Sequence, residues 1–150
     1  MKILLTTVYK VKKIRYDYFT ANTRNTLFRY TLPRIQSFGL RFIKQNVPEI
    51  EILEYPKWKE YKEKLKEKWD IVGFSFYLNE IPEILKMVEY ARKMEIDEIW
   101  GGNYGALTYG MEKYFDWICY GYAEKEIAKK LGYSIKEIVH YLAILVYLLV

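Results

Sequence analysis

The sequence predicts an α/β fold built on a parallel sheet, and three observations carry that prediction. Short apolar runs recur along the chain, as in KILLTTV (2–8), DIVGFSFY (70–77) and DWICYG (116–121). Between them lie amphipathic stretches whose apolar residues follow the i, i+3, i+4 spacing of helices. Gly, Ser and Asn follow the apolar runs, as in SFYLNE and GGNYGAL, where a strand ends and the chain turns toward a helix. Strands alternating with helices at this spacing form βαβ units. A sheet covered by helices on both faces reads as continuous apolar runs rather than as an alternating pattern.

Taken in order, KILLTTV is a first strand buried on both faces. From Tyr9 to Leu32 the chain is polar and aromatic without a clean period, a long loop of the kind that is usually functional or mobile. Pro33 opens a helix through RIQSFGLRFIKQN, with Ile35, Phe38, Phe42 and Ile43 on one side. EIEILEY (49–55) is a second strand ended by Pro56. From Trp58 to Lys68 the interleaved Lys and Glu mark a solvated helix face, and Trp58, Tyr61 and Leu65 turn to the core.

DIVGFSFY is the central strand. Asn79 is placed to cap the following helix, and Glu80 and Glu83 lie in its first turn, where the helix dipole favours negative charge. Its apolar stripe is Ile81, Ile84, Leu85, Val88 and Ala91, and Arg92 and Lys93 close the last turn. EIDEIWGG gives a fourth strand at 97–101, a short helix spans Leu107 to Tyr114, and DWICYG is the fifth strand. AEKEIAKKLG is a helix closed by Gly132. Five strands in this arrangement define a flavodoxin-like (Rossmann-like) three-layer fold, a parallel sheet of order 2-1-3-4-5. Residues 1–132 form this domain. Residues 133–150 form an extra C-terminal helix whose apolar run, Ile138 to Val150, is interrupted only by His140. A helix apolar nearly all round must be buried, so it packs on its own domain or on a second copy, giving a homodimer.

Composition bounds the function. At 150 residues the chain is one domain with a sizeable core, and 51% apolar content excludes disorder. No apolar run is long enough to span a bilayer, and the N-terminus lacks a secretory pattern, so a soluble, cytoplasmic protein is expected. Cys119 is the single cysteine. It forms no internal disulfide and alone builds no zinc or iron–sulfur site. Abundant Lys, Glu, Ile and Tyr resembles a thermophile's usage. The net charge of +5 is modest. Lys10, Lys12, Lys13 and Arg15 lie near Tyr9, Tyr16 and Tyr18, but the rest of the chain is charge-balanced, which disfavours nucleic acid as the partner.

In such sheets ligands sit outside the carboxyl ends of the strands, at the switch between the first and third. The 9–32 segment, SFYLNE, GGNYGAL and GYAE all leave carboxyl ends and converge on one rim. Ser75 offers a hydroxyl to a ligand or to a backbone carbonyl. Gly101 and Gly102 permit close backbone approach or a tight turn. The loops match neither G-x-G-x-x-G nor a Walker loop, so neither a dinucleotide nor a nucleoside triphosphate is indicated. No histidine lies near Ser75, which speaks against a Ser-His-Asp hydrolase. Glu124 reads as a helix-end charge, Cys119 as a small core residue and His140 as a packed histidine. Asp70 and Asp116 precede their strands, at the opposite edge.

The order KILLTTV, PRIQSFGLRFIKQN, EIEILEYP, WDIVGFSFYLNEIPEILKMVEYARK, IWGGNYGAL, FDWICYGYAEKEIAKKLG resembles the amino-terminal cobalamin (B12)-binding-type domain of B12-dependent radical SAM enzymes, over residues 2 to about 132. VGFSFY resembles that family's strand end, WGGNYGAL its GG loop and GYAEKEIAKKLG its GEGE helix start. The resemblance implies a corrin ring against the carboxyl ends of the sheet, with a nucleotide tail threading between sheet and helix. Thr6, Thr7, Ser75, Tyr77, Gly101, Gly102, Asn103 and Gly121 would line that site. Two departures shape the expectation. The D-x-H-x-x-G motif is replaced by TTVYKVKK after the first strand, so any cobalamin is bound without that histidine. The C-x-x-x-C-x-x-C cluster motif is absent, so the chain holds no iron–sulfur cluster and performs no radical chemistry alone. The expected function is a stand-alone or truncated module for cobalamin or another small ligand, serving a radical SAM partner and not catalytic by itself. The alternative is a structural or interaction protein that docks a partner or self-associates through its C-terminal helix.

Overall fold

The computed structural model describes residues 1–10 and 37–139. The expected sheet is present. Strands β1 (Ile3–Thr6), β2 (Ile50–Leu53), β3 (Ile71–Ser75), β4 (Glu98–Gly102) and β5 (Trp117–Ile118) are all parallel, in the order β2-β1-β3-β4-β5. Helix α1 (Phe38–Asn46) leads into β2, α2 (Trp58–Leu65) into β3 and α3 (Ile81–Lys93) into β4; the short α4 (Asn103–Ala106) follows β4 and α5 (Ala123–Lys130) follows β5.

The strands divide their side chains between two cores, as the two-residue period of a strand requires. Leu4, Val72, Phe74, Ile99 and Ile118 face α2 and α3, meeting Tyr61, Leu65, Ile84, Met87, Val88 and Ala91. Ile3, Leu5, Ile50, Ile71 and Trp100 face α1 and α5, meeting Leu40, Ile43 and Ile127. Burial on both faces is the reason the strands read as unbroken apolar runs. Tyr61, fully buried, donates its hydroxyl to the Met87 carbonyl at 2.7 Å, which ties α2 to α3. Without that acceptor a buried hydroxyl would cost the domain on the order of 1–3 kcal/mol.

Several elements differ from expectation, each for a local reason. In α1 the buried residues are Leu40 and Ile43, whereas Phe38 is exposed and Phe42 only partly covered. The cap is Ser37, whose hydroxyl accepts from the Leu40 N–H, so the described helix starts after the serine and the stripe rotates accordingly; residues 33–36 lie outside the described part. Asn79 does not cap α3. It sits inside a 3-10 turn, Leu78–Glu80, closed by the Glu80 carboxylate accepting the Tyr77 N–H at 2.8 Å, and Pro82 stands in the first turn of the helix that follows. The helix expected over 107–114 lies earlier, at Asn103–Ala106, followed by a turn and a 3-10 segment at Glu112–Tyr114. β5 is confined to two residues. Of the expected extra C-terminal helix, residues 133–139 are irregular and the remainder, His140 included, lies outside the described residues. Among the described residues, no helix is long and apolar enough to cross a membrane.

At the amino edge, Asp70 accepts the main-chain N–H of Lys2 at 2.5 Å, and Asp116 accepts that of Ile99 at 2.6 Å while pairing with Arg92 at 2.8 Å. Both aspartates thus fasten neighbouring strands, opposite the edge where a ligand is expected.

Among the described glycines, Gly105 has the least room for a side chain. A Cβ there would stand 2.3 Å from the Phe76 ring and 2.7 Å from the Phe76 carbonyl oxygen. That carbonyl accepts the Gly105 N–H at 3.0 Å, so the backbone cannot retreat without losing the bond. Gly105→Ala is expected to destabilise the domain by about 1–3 kcal/mol. Gly39→Ala, in α1 with open space around the new methyl, is expected to gain about 0.5–1 kcal/mol through helix propensity. Denaturant unfolding of the two variants checks both signs.

Candidate functional site

Three of the expected loops meet at the carboxyl edge and enclose two connected hollows. The first, an apolar slot of about 90 Å³, lies between the sheet and helices α1 and α5. Leu5, Gly73 and Gly102 lie along its sheet side, Leu40 and Ile43 come from α1, and Ile127 comes from α5. The second is a polar mouth of about 200 Å³ lined by Thr7, Ser37, Tyr55, Ser75, Tyr77, Glu80 and Asn103. Ser75 and Asn103 line both, so the two spaces adjoin at the end of β3 and the start of α4.

The two adjacent glycines have different causes. Gly101 points to the α2/α3 side, where a Cβ would stand 2.9 Å from the Phe115 ring and 3.0 Å from Ala106. Core packing demands that glycine, while its backbone also lies along the slot. Gly102 points the other way, into the slot. A Cβ there would meet nothing closer than the Phe74 carbonyl oxygen at 3.8 Å, and its extended backbone (φ −148°) suits any residue. Neither sterics nor conformation requires Gly102. Its missing side chain leaves room in the slot.

The other expected site residues separate into groups. Thr6 is fully buried, and its hydroxyl donates to the Leu53 carbonyl at 2.9 Å. It joins β1 to β2 and is placed in neither hollow. Thr7 lines the mouth, but its hydroxyl accepts the Tyr55 N–H at 2.6 Å. Ser75 is partly exposed, and its hydroxyl makes no hydrogen bond to any described residue. Tyr77 is exposed at the mouth. Asn103 adopts the left-handed conformation (φ 67°) that asparagine tolerates better than most residues. Its side-chain oxygen accepts the Tyr104 N–H at 2.8 Å, and its amide NH2 remains a donor. Gly121, at φ 91°, makes the turn from β5 to α5 along the slot.

Sequence reasoning missed Ser37, Tyr55 and Glu80 as wall residues. Arg41 grips both oxygens of Glu54, which also accepts the Ser37 N–H at 2.6 Å; this docks the start of α1 against the end of β2 and forms one wall of the mouth. Glu80 is half-buried, and among the described residues it pairs with no cation. Burial raises its pKa, Glu83 adds to the rise, and the Tyr77 N–H partly opposes it. Tyr55, at the same wall, is raised by burial and then by Glu80, Tyr77 and Glu54.

Cys119 is buried just beyond β5 and lines the slot, and its N–H donates to the Gly101 carbonyl at 2.8 Å. Burial, with smaller contributions from Glu126 and Glu124, pushes its thiol up to about 11. Glu124 is buried in the first turn of α5, which agrees with a helix-end role. No cluster of metal-ligating side chains exists among the described residues. Of the basic segment, only Lys10 lies within them, so the 12–18 part of that expectation falls outside. Exposed Phe38, Tyr77, Leu78, Tyr104, Tyr109, Tyr120 and Tyr122 follow or flank the same strand ends. Compared with known proteins, the chain matches no family model and no curated sequence.

The raised pKa of Glu80 has a direct consequence for stability. The folded state holds its proton more tightly than the unfolded state, so ionised Glu80 destabilises the fold at neutral pH, and the penalty disappears as pH falls through the folded-state value toward the unfolded 4.5. Glu80→Gln keeps an oxygen for the Tyr77 N–H. The variant is expected to melt at higher temperature than the parent at pH 7, with the difference shrinking toward pH 4.5; thermal melts across that range check it. For Cys119, roughly one thiol in a thousand is ionised at pH 8. Alkylation by iodoacetamide is therefore expected to be slow there and to rise nearly tenfold per pH unit up to pH 10.

Proposed function

We propose that this chain is a non-catalytic binding module, which takes a small ligand at the carboxyl edge with an apolar portion in the slot and a polar portion at the mouth. The observation that carries the reading is Gly102. It is a glycine that neither packing nor backbone demands, set where the slot meets a serine hydroxyl left without a described partner. Apolar pockets with a few convergent polar groups at the switch point of a parallel sheet are the usual form of small-ligand sites. A cytoplasmic setting agrees with the single buried thiol.

The resemblance makes a corrinoid the first ligand to try, and the dimensions favour one part of it over another. The slot's about 90 Å³ is smaller than the roughly 150 Å³ of a cavity that holds benzene. A bicyclic nucleotide base does not fit between sheet and helix with α1 and α5 where they stand. The polar mouth, with its hydroxyl, carboxylate and amide groups, suits the amide-bearing edge of a corrin ring better than the slot suits its tail. Among the described residues, no histidine lines either hollow.

Titration with hydroxocobalamin and with cobinamide, which lacks the nucleotide, tests this reading. Cobinamide is expected to bind at least as tightly as hydroxocobalamin, with a shift in the visible spectrum. Gly102→Val, which fills the slot, is expected to weaken any ligand that enters it by about tenfold, in line with the ~1–3 kcal/mol of overpacking. Absence of binding by either corrinoid at high micromolar concentration would remove the corrinoid. A second reading, an interaction protein that self-associates, is favoured by the exposed aromatic rim. Sedimentation as a monomer at high micromolar concentration would exclude it.

A further inference from the structure

Resting on the reading above, we propose that the mouth selects its ligand through Glu80: the group bound there carries an N–H donor, as an ammonium or a primary amide, and anionic ligands are refused. The walls supply acceptors and one unneutralised charge. Glu80 stands at the mouth with Ser75, Tyr77 and Asn103. The second carboxylate near this wall, Glu54, is already matched by Arg41 at 2.8 Å. Glu80 has only the Tyr77 N–H at 2.8 Å and no cation among the described residues. Glu83 stands close enough to repel it further. Among the described residues, no lysine or arginine lines the mouth.

A half-buried carboxylate holding one hydrogen bond retains unused acceptor sites, since an ionised carboxylate accepts about four. A donor from the ligand satisfies them with a charge-assisted bond, roughly twice as strong as a neutral one. A phosphate or carboxylate brought to the same place would add like charge in a partly desolvated hollow. The N-terminus of α1 borders the mouth, where the Ser37 hydroxyl accepts the Leu40 N–H and Glu54 accepts the Ser37 N–H, so two of the donors at that end already have acceptors. Ser75 and the NH2 of Asn103 then fix the orientation of whatever the donor belongs to.

Amide chemical shifts of the isotope-labelled full chain test the proposal with propylammonium, propionamide and propionate at the mouth and xenon in the slot. Saturable shifts at Ser75, Tyr77, Glu80 and Asn103 are expected with propylammonium and propionamide, and none with propionate. In Glu80→Gln the affinity for propylammonium is expected to fall at least fivefold, while that for propionamide changes less than twofold. The spectrum of the variant itself reports that it is folded. Equal shifts with propionate, an unchanged propylammonium affinity in Glu80→Gln, or silence of the mouth while xenon shifts Gly102 and Cys119 would each overturn the selection by Glu80 and leave the binding module standing. Silence from all four probes would overturn the module with it.

Discussion

A sheet whose strands are all parallel sends every strand's carboxyl end to one edge, and the rest of this molecule follows from that constraint. The five strands stop within a narrow band, and their peptide groups need partners where the ladder ends. Thr6 and Thr7 supply two of them. The Thr6 hydroxyl donates to the Leu53 carbonyl and the Thr7 hydroxyl accepts the Tyr55 N–H, adding side-chain bonds to the carboxyl end of the β1–β2 pairing. Glu54 carries the connection one step further, joining the end of β2 to Ser37 and Arg41 of α1. The wall of the mouth is the visible end of this chain of bonds. Thr6 belongs to the structure that holds the site open rather than to the surface a ligand would touch, whereas Thr7 both braces the wall and lines the mouth.

How much of this was readable in advance varied from element to element. β1 and β3 were plain because burial on both faces writes unbroken runs without charge, Ile3–Leu5 and Ile71–Phe74. α3 and α5 were plain because each carries a regular stripe and charges suited to its ends. The failures cluster where two local signals compete. Asn79 looks like a cap, yet the Glu80 side chain closes a 3-10 turn around it and Pro82 fixes the helix start. Phe38 looks like a core residue, but Ser37 sets the phase of α1 and leaves it outside. The turn after β4 depends on Asn103 in the left-handed region, for which the sequence gives only the weak hint of an asparagine after two glycines.

The site was legible as a place but not as a set of roles. Gly101 and Gly102 are identical letters with opposite duties, and only the parity of the strand decides which faces Phe115 and which faces the slot. A one-residue change of register would exchange them. Cys119 shows the same ambiguity. Its burial agrees with a small core residue, and the same burial places it along the slot, so one observation satisfies both descriptions.

Glu80 is where local and global demands disagree. The turn into α3 needs an acceptor for the Tyr77 N–H, and a neutral Gln would serve that geometry without a charge to desolvate. A carboxylate at that position, half-buried, beside Glu83 and unmatched by any described cation, works against the stability of the domain. Sequences are otherwise consistent across levels, and violations concentrate where a ligand later completes the arrangement. The neighbouring Glu54 shows that the chain can neutralise a carboxylate in this wall, since Arg41 does so with three short contacts. Among the described residues one carboxylate of the pair is matched internally and the other is not, which divides the wall into a part that holds itself together and the part on which the proposed donor would act.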